Sequence, residues 1–290
     1  MAVRGVEIER RGPVGWVLIN DYQATVEAGA EDADFIGVHE GIGLALDELR
    51  WDQSIRVVVL TGKNDGEFYR FSRRSHWDNP EFRDRLNPLK ASAPPPAPPA
   101  GPPESAGPAG PAVHRRPDAH EMLMLIEKPV IARVNGDAIG FGSSLIWGCD
   151  FIVGREDAKI AWGHTGLGEI VDSDGEARGF PWAMTPSYGM ASLLYMPPSK
   201  VKEFMILSKV YTAREMADMN AFNAAVPADE LDSVVDGWVE ALLRRPPAVV
   251  ARTKKLCNKP IMAVYTATED LSGAYTVLDL YQQAQAGAMG

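Results

Sequence analysis

The chain has 290 residues, room for one large domain or two small ones, and 46% of them are hydrophobic, enough for a sizeable core. Asp and Glu outnumber Lys and Arg by 39 to 29, a formal net charge of -10 that argues against nucleic acid as a partner. No run approaches the roughly 18 apolar residues of a membrane-spanning helix, and MAVRGVEIERRG lacks the apolar centre of a secretory signal, so no membrane partner and a cytoplasmic location are expected.

In chain order, Val6 to Arg11 and Gly15 to Asn20 read as two short strands about a Gly12-Pro13 turn. Phe35 to Leu49 predicts a helix, with Ile42, Leu44, Leu46 and Leu49 at roughly helical spacing and Trp51 following. Ile55 to Thr61 has the continuous apolar pattern of a buried strand. Ala91 to Ala112 differs in kind: it holds nine prolines, several Ala and Gly, and almost no charge. Such a segment cannot bury a helix or strand and predicts an irregular polyproline-like loop, either a solvated linker or a lid over a substrate mouth.

His120 to Ile126 predicts a helix ending at the Lys128-Pro129 break. A short apolar run (Val130, Ile131, Ala132, Val134) then leads through Asn135-Gly136 and Gly140-Phe141-Gly142 into the small and apolar segment Ser143 to Gly148. Strand, tight turn and helix start is the reading. The first N–H groups of such a helix lack intrahelical acceptors and lie at the positive end of its dipole, which suits an oxyanion as readily as a phosphate. Ala158 to Trp162 predicts a strand, Gly163 to Gly175 a long polar loop, and Val201 to Lys209 a helix. Asp229 to Arg245 predicts a helix with Val234, Val235, Trp238, Val239, Leu242 and Leu243 on one face, broken by Pro246-Pro247. Ala248 to Asn258 and Ala263 to Gln285 complete a helical tail. The alternation fits an α/β fold of stacked ββα units. The expected organisation is a core over 1–200, with the Pro-rich insertion at about 91–112, followed by a helical region over 201–290.

The run Lys128-Pro129-Val130-Ile131-Ala132-Arg133-Val134-Asn135-Gly136, with Gly140-Phe141-Gly142 and Cys149-Asp150 after it, resembles the signature of the crotonase (enoyl-CoA hydratase/isomerase) superfamily. Arg56 to Gly62 looks like the strand before that family's first oxyanion-hole loop. Val201 to Val226 looks like its stretch in which a helix leads to A…N…V, and Arg244 to Lys255 like its P…A…K helix. The resemblance covers most of the chain. It implies a crotonase-like fold whose helical tail supports a homotrimer or a dimer of trimers.

In that family two backbone N–H groups hold a thioester or ketone oxygen, and donors set where charge develops stabilise the transition state by several kcal/mol. Carried over, the donors are Ser72 and Phe141. Ser72 lies in Glu67-Phe68-Tyr69-Arg70-Phe71-Ser72-Arg73, at the place of the family's F-x-x-G-x-D loop, with Phe71 and Arg73 in place of Gly and Asp. Phe141 stands where Gly is usual, and its ring is expected to narrow the pocket.

The two Glu carboxylates of the family's hydratases fall at Ser144 and His164, so neither is present. Ser144, with no base near it in sequence, is assigned no acid–base work. His164 is the candidate base, followed by the acids Glu169, Asp172, Asp174 and Glu176. Imidazole titrates near 6.5, and a carboxylate on its other nitrogen fixes the tautomer. His164 with Asp174-Gly175 is similar to the pairing in 6-oxocamphor hydrolase, a crotonase-fold enzyme that cleaves a carbon–carbon bond of a cyclic β-diketone by water attack. Glu269-Asp270-Leu271-Ser272 adds to that likeness.

Trp162, Phe180, Trp182 and Tyr188 are candidates for an apolar pocket wall, with His76 and Ser144 beside it. Arg73 and Arg74 are candidates to meet a CoA phosphate. Asn20 to Ala24 lacks the basic residue with which the family binds CoA, which fits a free ketone. His39, His114 and His120 carry no motif. Cys149 and Cys257 do not read as a disulfide framework. No His or Cys shows metal-ligand spacing, so neither metal nor other cofactor is expected.

Three readings follow. The first is hydrolytic carbon–carbon cleavage of a cyclic or β-dicarbonyl substrate, with His164 as base and Asp174 as its orienter. The second is an enoyl-CoA hydratase or isomerase acting on an acyl-CoA thioester through an acid among Glu169, Asp172 and Asp174. The third is a catalytically inactive binding or scaffold protein of the same fold. The expected ligand is a small-molecule carbonyl compound, a CoA thioester under the second reading.

Overall fold

A strand that is apolar at every position needs cover on both faces. Val57–Gly62 (β3) is such a strand, with all six residues buried. It lies inside a six-stranded sheet in a computed structural model that describes residues 5–20, 35–70, 119–162, 170–171, 177–178, 195–207 and 209–264. The sheet begins with an antiparallel hairpin of Val6–Arg11 (β1) and Val14–Ile19 (β2), Arg11 opposite Val14. β3 then pairs parallel to β2, followed in parallel by Val130–Val134 (β5), Phe151–Arg155 (β7) and Ala224–Val226 (β12).

A second, four-stranded sheet contains Gly66–Arg70 (β4), Gly136–Ile139 (β6) and Lys159–Ala161 (β8), all parallel, with Tyr211–Thr212 (β11) antiparallel at its edge. Three times the chain passes within a few residues from the large sheet to the small one: β3 to β4, β5 to β6, β7 to β8. Phe35–Trp51 (α1) leads into β3, Ala119–Leu125 (α2) into β5 and Phe141–Ile146 (α3) into β7. These are the stacked ββα units anticipated from the sequence. Pro198–Ile206 (α4), Ala213–Asp218 (α5), Leu231–Leu243 (α6) and helical residues 247–264 follow. Ile170–Val171 (β9) and Ala177–Arg178 (β10) form a small antiparallel pair.

The period-2 alternation of the large sheet separates two cores. Val17, Ile19, Val58, Leu60, Val130, Ala132 and Val134 face the main core with α1, α2 and α3. Trp16, Leu18, Val57, Val59, Ile131 and Val153 face Leu231, Val235 and Val239 of α6. On α1 the buried stripe is Val38, Ile42, Ala45, Leu46 and Leu49, the i, i+3, i+4, i+7 set. Leu44, expected to join it, lies on the opposite side and is 40% exposed.

Several element boundaries differ from the sequence reading. Asn135-Gly136 does not lead straight into the Gly-rich turn, because β6 intervenes. Phe151–Arg155 is a strand that sequence reasoning passed over. The polar stretch from Gly163 to Gly175 includes β9. The helical region over 201–290 also carries β11 and β12, which complete the two sheets by pairing with β8 and β7. Residues 259–262, left between two helices, continue the helix of 247–264. The Pro-rich stretch from Ala91 to Ala112 lies outside the described residues.

Asn135 shows how the chain turns from one sheet to the other. Its Oδ1 accepts from the Gly62 N–H at 3.0 Å and the Thr61 hydroxyl at 3.2 Å. Its Nδ2 donates to the Gly62 and Asn64 carbonyls at 3.1 and 2.8 Å. One buried amide thus supplies the rungs that the β3–β4 corner lacks. Gly136 follows because a Cβ there would stand 1.9 Å from the Gly66 backbone.

Lys254 ties helical residues 247–264 to the core. Its side chain is 4% exposed; Nζ lies 2.7 Å from Asp150 Oδ2 and donates to the Lys128 carbonyl at 3.0 Å. The same Asp150 oxygen accepts from the Val130 N–H at 2.7 Å. Burial pushes the Asp150 carboxyl up, and Lys254 opposes that push. Removing one partner of a buried pair leaves an uncompensated charge at a cost of about 3–5 kcal/mol. Lys254→Met should therefore lose about that much stability near neutral pH. With the counter-charge gone, the folded-state pKa of Asp150 stands further above its unfolded value. The loss should shrink as pH falls through the folded value, where the carboxyl takes up a proton. Denaturant titrations at about pH 7.5 and about pH 5.5 measure both effects. A variant as stable as the parent at both would show that the pair contributes nothing.

Candidate functional site

The register of the four-stranded sheet brings three strand ends together. Arg70 is aligned with Ile139 and Ile139 with Ala161, so the ends of β4, β6 and β8 stand in one row. Parallel strands deliver their following segments to one edge, where sites in open α/β sheets collect. Phe141 comes two residues after Ile139, as Ser72 comes two residues after Arg70.

Phe141 is the first residue of α3. The Gly140 N–H donates to the Ala161 carbonyl at 3.0 Å, which ties the start of the helix to the end of β8. Gly142 brings α3 against β4, because a Cβ there would stand 2.0 Å from the Tyr69 carbonyl oxygen. Only a residue without a side chain allows that approach. The start of α3 therefore contacts the ends of both neighbouring strands, β4 through Gly142 and β8 through Gly140.

The far end of α3 is also fixed. Trp147 is fully buried, stacked on Tyr195 at 5.9 Å between centroids, with Phe204 and Phe222 edge-on at 6.1 Å each. Such aromatic contacts add about 0.5–1.5 kcal/mol each beyond burial. Cys149 is buried and its thiol is pushed up by desolvation, so it behaves as an inert apolar group. Among the described residues no group of three or more His, Cys, Asp or Glu could hold a metal ion.

Three of the residues singled out from the sequence are described, and the structure gathers them at this edge. Phe141 is 7% exposed and its ring joins the main core. Trp162, directly after β8, is 2% exposed and joins the same core. Ser144, one turn into α3, is 1% exposed. Ser72, His76, His164, Glu169, Asp172 and Asp174 lie outside the described residues, as do Arg73, Arg74, Glu176, Phe180, Trp182 and Tyr188.

Ser144, which has no base near it in sequence, has an imidazole beside it in space. His120, which carried no motif, enters from α2 with Nε2 2.8 Å from Ser144 Oγ. His120 is 3% exposed. The two are 24 residues apart, so no local spacing announces them. One signal was available: His120 lies on the helical stripe with Leu123 and Met124, both buried, so its imidazole had to find a polar partner inside the core.

A model of the enoyl-CoA hydratase/isomerase family matches residues 114–286. The chain is 29% identical over 230 residues to the carnitinyl-CoA dehydratases of Salmonella paratyphi B and Salmonella typhimurium, covering 79% of this chain and 70% of theirs. Among solved structures, an enoyl-CoA hydratase from Mycobacterium avium subsp. paratuberculosis superposes with a TM-score of 0.64 at 19% identity, over 94% of this chain and 89% of that one. A carnitinyl-CoA hydratase from Mycobacterium avium does so with a TM-score of 0.60 at 18% identity, over 97% and 90%. At these identities the structural likeness bears on the fold, which is the crotonase fold. The family match spans more than half of the chain, and with the stacked ββα units it places this protein in the enoyl-CoA hydratase/isomerase family of the crotonase superfamily.

Proposed function

We propose that this protein is an acyl-CoA hydratase or dehydratase, adding water across the α,β double bond of an enoyl-CoA thioester or removing it from a 3-hydroxyacyl-CoA. The observation that carries this reading is the aligned row Arg70, Ile139, Ala161, with α3 held against the β4 backbone at Gly142. In this reading Ser72, two residues beyond Arg70 in sequence, and Phe141 serve one carbonyl oxygen. Two N–H donors at roughly 2.7–3.1 Å from that oxygen hold the enolate that forms when the β-carbon gains or loses hydroxide. Arg73 and Arg74, directly after Ser72, supply cations for the CoA phosphates. Glu169, Asp172, Asp174 and His164 are the candidates for acid–base work beyond α3.

The relatives at 29% identity are named for a CoA thioester and for dehydration. That favours this reading over hydrolytic carbon–carbon cleavage by His164 and Asp174. The two separate in one assay series: enoyl-CoA and 3-hydroxyacyl-CoA thioesters followed by the absorbance of the conjugated thioester, beside cyclic 1,3-diketones without CoA. Interconversion of the thioesters is the expected outcome. Diketone cleavage with no thioester turnover would replace the proposal with the hydrolase. Ligand binding without turnover of either would point to a binding protein.

Gly142→Ala tests the geometry. The added methyl has no room against the Tyr69 carbonyl, so α3 and β4 must part by about an ångström, a displacement that can lower kcat by on the order of 10². Far-UV circular dichroism should be unchanged while kcat falls. A Gly142→Ala enzyme with parental kcat would remove this contact from the argument.

A further inference from the structure

Resting on the acyl-CoA reading above, we infer that Ser144 and His120 form the proton-transfer group of this site, with the Ser144 hydroxyl facing the substrate and His120 acting through it as a positioning residue and proton store. The geometry is that of a hydroxyl with its base: Ser144 Oγ lies 2.8 Å from His120 Nε2, both residues almost fully buried. Ser144 is three residues after Phe141 on α3, so the hydroxyl and the proposed oxyanion donor share one turn of one helix. The sequence of α3, FGSSLI, has no charged residue, and its other hydroxyl, on Ser143, donates to the Gly140 carbonyl at 2.7 Å.

Ser144 Oγ also lies 2.9 Å from the Phe141 carbonyl. The hydroxyl has a single proton, and two arrangements follow. Either it donates to Phe141 O while His120 Nε2–H donates to Oγ, or it donates to Nε2 and the ring carries its proton on Nδ1. The second arrangement is ready for chemistry. Water bonds through oxygen to the β-carbon, and the π pair moves to the α-carbon and the thioester oxygen as an enolate. The proton lost by the water passes to Ser144 Oγ as the Ser144 proton passes to Nε2. The relay then runs in reverse and delivers one proton to the α-carbon. Imidazole and hydroxyl are restored, and the product is the 3-hydroxyacyl thioester. Dehydration is the same sequence backwards. The hydroxyl works as a proton wire, which answers how a serine with no carboxylate on its helix can take part near pH 7.

Two measurements test this. The first is ¹⁵N NMR of the imidazole nitrogens in the whole wild-type protein, with His120→Gln assigning the His120 signals. The expected state is neutral, with the proton on Nδ1 and Nε2 accepting from Ser144; a proton fixed on Nε2 overturns the proposal. The second is steady-state kinetics of Ser144→Ala, His120→Gln and the double variant on a thioester that the wild type turns over. Each single variant should lose kcat by a factor on the order of 10²–10⁴. KM should stay within about twofold, and the double variant should be no worse than the singles, as for groups that act as a unit. Ser144→Thr, which restores a hydroxyl, should recover part of the rate. A pair that only joins α2 to α3 would instead lower the melting temperature and leave kcat intact in the folded fraction, which overturns the role while the acyl-CoA reading stands. An acyl group found covalently on Ser144 by intact mass would also overturn it, making the serine a nucleophile. Absence of turnover of any thioester by the wild type overturns both.

Discussion

The position of α3 depends on how closely three backbones approach one another where side chains are excluded. At Gly136 the start of β6 lies against Gly66 of β4, and at Gly142 the first turn of α3 lies against Tyr69 near the other end of β4. β4 is thus held at both ends by its neighbours' backbones. Main-chain contact at these distances leaves no soft element between strand and helix, since a side chain could change rotamer and a carbonyl cannot. The oxyanion geometry proposed here needs two N–H groups set to a fraction of an ångström, and a rigid mounting of this kind is the physical means of doing so.

Such tightness raises the question of where the polar groups go. α3 is buried along its whole length, so its backbone and hydroxyls must find partners inside the protein. Gly140 satisfies its N–H on β8, the Gly140 carbonyl accepts from the Ser143 hydroxyl at 2.7 Å and the Ser144 N–H at 3.1 Å, and the chain after the helix closes with Gly148 and Cys149 bonding back to Leu145 and Ile146. Small residues dominate the segment because each must reach a local partner without displacing a neighbouring strand. Ser144 reaches out of its own helix to the His120 imidazole on α2, and its hydroxyl also lies 2.9 Å from the Phe141 carbonyl.

Much of this was legible in the sequence, and the limits have identifiable causes. The β1–β2 hairpin and the continuous apolar run of β3 express periodicity and turn chemistry directly, and the structure follows them. Asn135-Gly136 was visible as punctuation, but its meaning was not. It reads as a turn, whereas Asn135 braces a corner between sheets through partners more than 70 residues earlier in the chain. β6 was missed because a four-residue strand with Gly and Asp in it has no period to detect. β11 and β12, of two and three residues, are likewise too short to show a period. The His120–Ser144 pair was invisible because contact between α2 and α3 is set by packing, and only the placement of a histidine on an apolar stripe hinted at it. His164 and the acids after it, on which the sequence reading leaned most, lie outside the described residues, so their part in the chemistry stands as a proposal.

The ion pairs show what keeps α2 and α3 in place. Arg50 of α1 holds Glu127, just beyond α2, with two hydrogen bonds of 2.9 Å each, and that guanidinium draws the Glu127 carboxyl down to about 2. The pair is partly exposed, so its energetic share is small, but its two-point geometry fixes direction. At the far end of α3, Lys254 holds Asp150, and Asp150 in turn holds the first N–H of β5. Asn258 reaches the Met124 carbonyl of α2 at 3.1 Å from the same helical stretch as Lys254. α2 and α3 are therefore anchored at their outer ends by residues far away in sequence, and α3 at its inner end by Gly142. Between them His120 Nε2 and Ser144 Oγ lie 2.8 Å apart, a separation that these outer anchors help to hold. A proton transfer whose rate depends on that separation would then register a change in α1, or in helical residues 247–264, as a change in kcat before any change in fold.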